Sequence, residues 1–280
     1  MQVIATIDAL RAARATFGPL GLVPTMGYLH AGHLSLVAQA RQENGATAVS
    51  IFVNPTQFGP REDFARYPRD MERDLHLLAE ANVDLVFAPT VSTMYPEGFG
   101  TYVVLPAADE VLEGSARPDH FRGVATVVCK LLNIVQPTRA YFGQKDAQQT
   151  VVVRLMIRDL NLPTSIVVAP TVREADGLAL SSRNTYLSAE QRATAPVLYR
   201  ALETARQRYA AGERAGEALR QTIRAVLASA PLVSLEYVSV ADPLTLRELV
   251  AVGRDGALLS LAARLGSVRL IDNLLLEPLG

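Results

Sequence analysis

Two histidines lie three residues apart in the stretch PTMGYLHAGHLSL, which spans residues 24–36. His30 and His33 follow a short apolar run and precede a segment with helical spacing, so we expect them where a strand meets a helix. A helix N-terminus offers unpaired N–H groups and a positive dipole end, which favour phosphate. Gly27 and Gly32 would let a ligand approach the backbone. This turn is therefore a candidate polyphosphate site, with imidazole donors that stabilise charge on a reacting phosphate.

Two simpler interpretations of these histidines stay open. A histidine near a helix start is commonly a cap or a surface residue, and histidine is also a common zinc ligand. The spacing here differs from the H-E-x-x-H helix motif, and neither a cysteine nor a pair of carboxylates lies nearby in the sequence. The sequence therefore favours metal ligation least, and we predict no metal-binding residue.

Neutral amides follow a second apolar run, ATAVSIFV, which spans residues 46–53. Asn54 and Gln57 lie just beyond the end of this predicted strand, and their amides suit the hydroxyl and carboxylate groups of a small polar substrate. The pair Asn54–Pro55 is also an ordinary turn signal. Further along, Arg117 and Arg122 precede a predicted buried helix, where either could be a surface charge.

Two further segments combine polar groups that suit a nucleotide. In YFGQKDAQQ, residues 141–149, Gly143 ends a predicted strand, Lys145 supplies a cation, and Asp146 could bond ribose hydroxyls or cap the following helix. The second segment contains Ser181, Ser182 and Arg183, whose two hydroxyls and guanidinium would form a phosphate clamp.

Composition narrows the class of protein. The chain has 280 residues, of which 49% are hydrophobic and 20% charged, enough for a large core and about two domains. A net charge of −1 gives no basic field for nucleic acid, and the N-terminus has no signal-peptide layout. No uncharged apolar run reaches the ~20 residues of a membrane span. Cys129 is the only cysteine, which suits a reducing compartment. We expect a cytoplasmic globular protein without nucleic-acid or membrane partners.

Short apolar runs alternate with helical patterns from about residue 21 to 169, which predicts βαβ crossovers and a doubly wound parallel sheet. The predicted strands span 21–25, 46–53, 84–89, 101–105, 139–143 and 165–170. The predicted helices span 33–44, 69–82, 121–136 and 147–161.

The pattern changes near Ser188. The sequence SAEQ predicts a capping box that opens a long helix to about Ala211, with a second helix after Gly212. Three runs of alternating polarity then predict a small antiparallel sheet. We therefore expect an α/β protein with a Rossmann-like domain at 1–185 and a smaller C-terminal α+β lid domain at 186–280.

The stretch VPTMGYLHAGHLSLV, residues 23–37, closely resembles the signature of the pantoate–β-alanine ligase family in the nucleotidylyltransferase superfamily. The H-x-G-H motif alone also occurs in other nucleotidylyltransferases and, in related form, in class I aminoacyl-tRNA synthetases. The segments 50–70, 141–149 and 172–188 narrow the resemblance to the ligase family, and together the similarity extends from about residue 20 to 190.

The resemblance implies roles for individual residues. His33 would be the main catalytic donor to the reacting phosphates, with His30 and Lys145 assisting. The residues implied to bind ATP are Met26, Gly27, His30, Gly32, His33, Gly143, Lys145, Asp146, Val172, Leu180, Ser181, Ser182 and Arg183. The residues implied to bind pantoate and β-alanine are Asn54, Gln57, Arg117 and Gln149.

Two positions depart from the family pattern, which usually has glutamate at Gln144 and methionine at Leu180. Leucine and methionine have similar volumes, so the packing of Leu180 against adenine should survive. The resemblance implies that Val172 also lines the adenine site. The resemblance also implies that the segment GPREDFARYPRD, residues 59–70, forms a mobile flap that excludes water from the site. It further implies a homodimer and Mg²⁺ bound with ATP, for which we name no protein ligand.

The implied reaction has two steps. The pantoate carboxylate attacks the α-phosphate of ATP and releases pyrophosphate, and the amine of β-alanine then displaces AMP from the pantoyl adenylate. A nucleotidylyltransferase that acts on a phosphorylated acceptor is the alternative enzyme. A non-catalytic nucleotide-binding module is a second alternative, but it leaves Gln57 and Gln149 without a role.

Overall fold

The structure is a computed structural model that describes residues 1–60 and 62–278. Contacts divide the chain into two compact units. Unit 1 comprises Met1–Gly143 and Val152–Pro170, and unit 2 comprises Gln144–Val151 and the described residues from Thr171 onward. The predicted division into domains at 1–185 and 186–280 stays a prediction.

Unit 1 is built on a six-stranded, all-parallel sheet in the order β1-β4-β3-β2-β5-β6. Its strands are β1 (Gln2–Ile4), β2 (Leu20–Thr25), β3 (Ala46–Ile51), β4 (Leu85–Phe87), β5 (Arg139–Gly143) and β6 (Ser165–Ala169). The α/β fold class is confirmed, as are five of the predicted strands. Strand β1 and the helix that follows it were not predicted from the sequence.

Helices cover both faces of this sheet, because alternate strand residues bury apolar side chains on opposite sides. Leu20 and Leu22 belong to one apolar core with Leu131, whereas Val23 and Leu36 belong to the other. The helices are α1 (Ile7–Arg14), α2 (Ala31–Glu43), α3 (Met71–Glu80), α4 (Val91–Met94), α5 (Pro106–Asp109), α6 (Leu112–Ala116), α7 (His120–Val135) and α8 (Ala147–Asp159).

The strand predicted at 101–105 is wrong. This segment has no regular structure and runs into α5 at Pro106. Tyr102 and Val104 are 43% and 52% exposed, so the apolar run does not supply a buried strand. The backbone N–H of Val103 instead donates to the hydroxyl of Thr126 at 3.0 Å.

The strand order reverses between β2 and β5, which are neighbours in the centre of the sheet. Their pairing is restricted to Gly21 with Arg139 and Leu22 with Ala140, so the two strands part before their carboxyl ends. In doubly wound sheets, ligands bind in the crevice at this kind of reversal. The turn that carries His30 and His33 follows β2, and Gly143 ends β5.

Unit 2 contains a three-stranded antiparallel sheet in the order β7-β8-β9, as the alternating polarity predicted. Its strands are β7 (Val233–Ala241), β8 (Ala257–Leu265) and β9 (Val268–Leu276). Its helices are α9 (Ala189–Thr194), α10 (Val197–Ala210) and α11 (Gly216–Ala228), with short 3₁₀ turns at Gln144–Asp146 and Ser182–Tyr186. Leu202 of α10 and Ile223 of α11 share one apolar core with Leu259.

The capping box predicted at Ser188 is confirmed, because the Ser188 hydroxyl accepts the N–H of Gln191 and the Gln191 side chain accepts the N–H of Ser188. The long helix predicted after it is interrupted. Helix α9 ends at Thr194 and α10 begins after Pro196, because proline lacks an N–H and its ring clashes with the preceding turn. Over the two described ranges, no helix combines the length and apolar character that a bilayer crossing requires.

Candidate functional site

The turn between β2 and α2 holds the two histidines in a reciprocal cap. His30 is the N-cap residue of α2, and its ring Nδ1 accepts the N–H of Gly32 at 3.2 Å. The Nδ1 of His33 accepts the backbone N–H of His30 at 3.3 Å. The two ring centroids are 4.0 Å apart. The capping role that the sequence left open for these histidines is therefore observed, and the two rings lie side by side.

This cap determines where each neutral imidazole carries its proton. A ring nitrogen that accepts an N–H group cannot itself be protonated, so the proton lies on Nε2 in both rings. An Nε2–H at a helix N-terminus is a donor in a region of positive potential. Such donors stabilise the charge that develops on phosphate oxygens during displacement.

A buried carboxylate fixes the backbone of the same turn by accepting two of its N–H groups. Asp74 of α3 accepts the N–H of Tyr28 at 2.6 Å and the N–H of Leu29 at 2.7 Å, and its side chain is 1% exposed. Gly27 has a φ of +79°, and a Cβ there would lie 2.9 Å from a carboxylate oxygen of Asp74. Only glycine therefore fits this position. Asp74 was not predicted from the sequence, because its position in an amphipathic helix suggests an exposed acid.

Burial raises the pKa of Asp74, although the N–H groups of Leu29 and Tyr28 and the charge of Arg73 oppose the effect. The two backbone hydrogen bonds and the charge of Arg73 therefore favour the ionised carboxylate, against the cost of its burial. We infer that the conformation of the histidine turn and the ionisation of Asp74 depend on each other.

The loop after β3 places Gln57 against the histidine turn. The Nε2 of Gln57 donates to the Sδ of Met26 at 3.2 Å, and its Oε1 accepts from Nδ2 of Asn54 at 3.0 Å. The Oδ1 of Asn54 accepts from the Tyr95 hydroxyl at 2.7 Å and from Thr56. Three of the residues predicted to bind ligands, Met26, Asn54 and Gln57, thus form one hydrogen-bonded chain within unit 1.

Helix α7 supports this loop by close backbone contact. A Cβ on Gly123 would lie 2.2 Å from the carbonyl oxygen of Thr56, so no larger residue fits without moving the loop. The carbonyl of Gly123 also accepts from Nδ2 of Asn54 at 3.2 Å. The absence of a side chain at position 123 is therefore what lets α7 fix the segment that carries Gln57.

Arg117 lies in a charged cluster beside the Gln57 backbone. Its guanidinium makes two hydrogen bonds to Glu62, at 2.7 and 2.6 Å, and one of 3.0 Å to Nε2 of His120. Nδ1 of His120 lies 2.9 Å from the carbonyl oxygen of Gln57, which is also 3.4 Å from Nη2 of Arg117. Arg122 lies outside this cluster, paired with Asp119 and stacked on Tyr102.

Burial, and the neighbouring charge of Arg117, lower the pKa of His120 to about 4. The ring is therefore neutral at pH 7, with its Nδ1–H donating to Gln57 and its Nε2 accepting from Arg117. Burial alone would raise the pKa of Glu62, but the hydrogen bonds and charge of Arg117 outweigh it and lower the pKa. Neither His120 nor Glu62 was predicted from the sequence, because a single polar residue at a helix start or in a loop carries no signal of the partners that it meets.

In unit 2, the turn Gln144–Asp146 carries the predicted lysine. Nζ of Lys145 lies 3.4 Å from Oδ1 of Asp146. Gln149 lies in the first turn of α8, which begins directly after the turn. The side chain of Asn273 in β9 donates to the carbonyls of Gln144 and Lys145.

The second segment of unit 2 also brings predicted residues together. The N–H of Leu180 donates to the carbonyl of Val172 at 3.0 Å. This hydrogen bond joins the two ends of the 172–180 loop, which are the two residues predicted to contact adenine. Ser181 then caps the 3₁₀ turn, with its hydroxyl accepting the N–H of Arg183 at 3.3 Å. Ser182 is buried within that turn. Asn273 was not predicted from the sequence, because a polar residue in a strand of alternating polarity resembles a solvent-exposed one.

Comparison with known proteins identifies close relatives. A family model described as pantoate-beta-alanine ligase matches residues 2–275. A pantothenate synthetase of Chloroflexus aurantiacus is 72% identical over 280 residues, which is all of both chains. The crystal structure of pantothenate synthetase from Thermus thermophilus has a TM-score of 0.95 and 51% identity, and covers 99% of this chain and 100% of that one.

A more distant solved structure was determined with ligands. It is the pantoate-beta-alanine ligase from Francisella tularensis complexed with beta-gamma ATP and beta-alanine. This structure has a TM-score of 0.81 and 35% identity, and covers 98% of this chain and 97% of its own.

Proposed function

This chain belongs to the pantoate–β-alanine ligase family, and from that premise we propose that it joins pantoate to β-alanine with ATP to give pantothenate, AMP and pyrophosphate. The observation that carries the proposal is the match of the family model over nearly the whole chain. The nucleotide and β-alanine named with the Francisella ligase are two of the three substrates that the reaction requires.

The chemistry proceeds through pantoyl adenylate. A carboxylate oxygen of pantoate attacks the α-phosphorus of ATP, and the bond to the pyrophosphate oxygen breaks. The amine of β-alanine then attacks the acyl carbon, loses a proton and displaces AMP. Activation is needed because a free carboxylate is a poor acyl donor, whereas AMP is a good leaving group. Catalysis of this kind depends on positioning and charge stabilisation.

The first half of the reaction depends on imidazole, hydroxyl and cationic side chains. His33 is the main donor to the reacting phosphates and His30 assists, because the reciprocal cap gives each ring an Nε2–H. Lys145 binds phosphate oxygens. The remaining residues of the nucleotide site are Met26, Gly27, Gly32, Gly143, Asp146, Val172, Leu180, Ser181, Ser182 and Arg183.

Gln57 and Gln149 bind pantoate, and Gln57 also contributes to the β-alanine site. Asn54 is 1% exposed and donates to the side chain of Gln57, which supports a role in orienting that amide. Arg117 acts on the same loop, because it bonds to the carbonyl of Gln57 and to Glu62. Since Glu62 lies in the segment 59–70, the Arg117–Glu62 pair would hold the proposed flap beside Gln57.

Mg²⁺ accompanies ATP and would neutralise charge on the pyrophosphate that leaves. In residues 1–60 and 62–278, no group of three or more His, Cys, Asp or Glu could hold a metal ion. Asp146 is the one carboxylate among the proposed site residues, and the others are imidazoles, amides, hydroxyls and cations. This donor set fits an ion bound through phosphate oxygens and water, as Mg²⁺ commonly is.

We also propose a cytoplasmic homodimer, which the family resemblance implies. Light scattering coupled to gel filtration would test the dimer directly. A mass of one 30.2 kDa chain at working concentration would contradict it.

A single assay tests the proposed reaction. Purified protein is incubated with ATP, Mg²⁺, pantoate and β-alanine, and AMP is measured with each acid omitted in turn. We expect AMP only when both acids are present, and pantoate-dependent exchange of labelled pyrophosphate into ATP without β-alanine. Pyrophosphate release with a phosphorylated acceptor and no amine would instead support a nucleotidylyltransferase. Nucleotide binding without turnover in either assay would leave only a binding module.

A further inference from the structure

Two consecutive residues of β9 contact both unit 2 segments that we propose bind ATP. Asp272 and Asn273 are 3% and 6% exposed, so both polar side chains are used inside the protein. Consecutive strand residues point to opposite faces of a sheet. One strand can therefore hold a separate segment of the chain on each face.

The amide of Asn273 fixes the turn that carries Lys145. Its Nδ2 donates to the carbonyl of Gln144 at 3.0 Å and to the carbonyl of Lys145 at 2.8 Å. Its Oδ1 accepts from Nε2 of Gln144 at 3.1 Å. Both hydrogens of the amide nitrogen are thus used on the two peptide groups that flank the Cα of Lys145. Rotation of either peptide would move the lysine side chain and break one of these bonds.

The carboxylate of Asp272 fixes the other segment through Arg173. The two groups form a bidentate pair, with distances of 2.7 and 2.8 Å. The guanidinium of Arg173 also bonds to the carbonyl of Gly177 at 3.1 Å and lies 3.9 Å from the centre of the Tyr199 ring. A buried bidentate pair is a strong geometric constraint, and removal of one partner leaves the other charge uncompensated.

Arg173 connects this ion pair to Val172 and Leu180, the two residues predicted to contact adenine. It directly follows Val172, and its backbone forms a β-bridge with Ala179, which directly precedes Leu180. The loop from 172 to 180 is therefore held closed between the two predicted adenine contacts. The 3₁₀ turn that contains Ser182 and Arg183 begins two residues later.

We propose that Asp272 and Asn273 are positioning residues of the nucleotide site, with Asn273 orienting the Lys145 turn and Asp272 orienting the Val172–Leu180 loop through Arg173. This inference rests on the proposed function, because it assumes that those two segments bind ATP. Neither side chain needs to touch the nucleotide. Their effects differ, because the lysine acts on the reacting phosphates whereas the loop acts on the base.

The test compares two variants of nearly unchanged shape. Asn273→Asp replaces the donor nitrogen by an oxygen that faces two carbonyl oxygens, and we expect kcat for pantoate-dependent pyrophosphate exchange to fall on the order of 10²-fold. Asp272→Asn weakens the hold on Arg173, and we expect the KM for ATP to rise about tenfold with a smaller change in kcat. In the complete reaction, the KM for β-alanine should stay within about twofold of wild type in both variants, because Gln57 belongs to unit 1.

Controls separate positioning from general destabilisation. Ile223→Val removes a buried methylene group from the apolar core of unit 2, so it should lower the melting temperature without raising the KM for ATP. If Asn273→Asp does not fold, Asn273→Ser supplies a neutral, shorter donor that cannot reach both carbonyls, and it should show the same loss of kcat.

Failure of the proposed reaction and failure of the positioning roles give different results. If wild-type protein forms no AMP from ATP, pantoate and β-alanine, the proposed function fails. If wild type is active and the folded variants keep its kcat and KM for ATP, the positioning roles are wrong. They are also wrong if Ile223→Val, at an equal loss of melting temperature, raises the KM for ATP as much as Asp272→Asn does.

Discussion

The backbone N–H of His30 donates to Nδ1 of His33 at 3.3 Å, so the second histidine of the pair closes the cap that the first one begins. One imidazole nitrogen of His33 thus takes part in the cap, while the other carries the proton that would contact phosphate in the proposed reaction. Because the cap and the proposed catalytic contact use different nitrogens of His33, mutation can separate the two contributions.

His33→Asn should separate them. An asparagine oxygen can take the place of Nδ1 as acceptor, but nothing replaces the Nε2–H, so we expect kcat for pyrophosphate exchange to fall about 10²–10³-fold. His33→Ala should lose a similar factor in rate and, in addition, about 1 kcal/mol of unfolding free energy from the missing cap. Exchange kinetics and denaturant unfolding of both variants measure the two effects. Wild-type turnover by His33→Asn would show that His33 acts only as a cap.

Asp74→Asn tests whether the buried carboxylate sets the geometry of the histidine turn. The amide can accept only one of the two N–H groups of Tyr28 and Leu29, and its NH₂ faces the other. We expect kcat/KM for ATP to fall on the order of 10²-fold through misplacement of the histidines. The change in unfolding free energy should be only about 1 kcal/mol, because removing a buried charge offsets part of the lost hydrogen bonding.

Glu72→Gln is the matched control for Asp74→Asn, because it also removes one negative charge from the same helix. Glu72 lies in the first turn of α3 and is exposed. Its charge interacts with the helix dipole, so its loss should cost about 0.3–1 kcal/mol of unfolding free energy and leave activity near wild type. Only Asp74→Asn should lose activity, and equal activity losses in both variants would contradict the role of Asp74.

His120 should make the unfolding free energy depend on pH. Its pKa is about 4 in the folded protein and about 6.5 when unfolded, so between these values the unfolded chain binds a proton that the folded chain does not. Stability from this residue is present above pH 6.5 and is lost as the pH falls towards 4, by up to about 3 kcal/mol. The effect disappears in His120→Asn, which has no titrating group. Denaturant unfolding of both proteins at pH 7 and at pH 4.5 measures the difference, and parallel pH curves would contradict it.

Gly123→Ala should disturb the loop after β3, which carries the proposed pantoate contact Gln57. Its Cβ would lie 2.2 Å from the Thr56 carbonyl, so the loop that carries Gln57 must move. We expect about 1–3 kcal/mol of lost unfolding free energy and a raised KM for pantoate and β-alanine. Gly18→Ala is the control, because a Cβ there meets no atom within 4 Å. Unchanged KM values for Gly123→Ala would show that the contact does not position Gln57.

The alternation of apolar strands and helical segments was enough to predict the parallel sheet, since hydrophobic periodicity is a local property of the chain. Ser188 and Gln191 also predicted the start of their helix, because a capping box involves residues only three apart in the sequence. The errors lie where a local pattern competes with burial. The apolar run at 101–105 stays partly exposed, and Pro196 divides a segment whose periodicity continues past it.

Short contiguous motifs were enough to predict the family, the strand ends and the residue types that suit ATP and a small acid, because each of these depends on neighbouring residues. The groups that hold those motifs in place are seen in the folded chain alone, because they are distant in sequence. Asp74 lies 46 residues beyond Tyr28, and Asn273 lies 129 residues beyond Gln144. A buried carboxylate or amide is defined by the backbone groups that it meets after folding. The spacing of residues along the chain therefore does not predict which backbone groups these side chains meet.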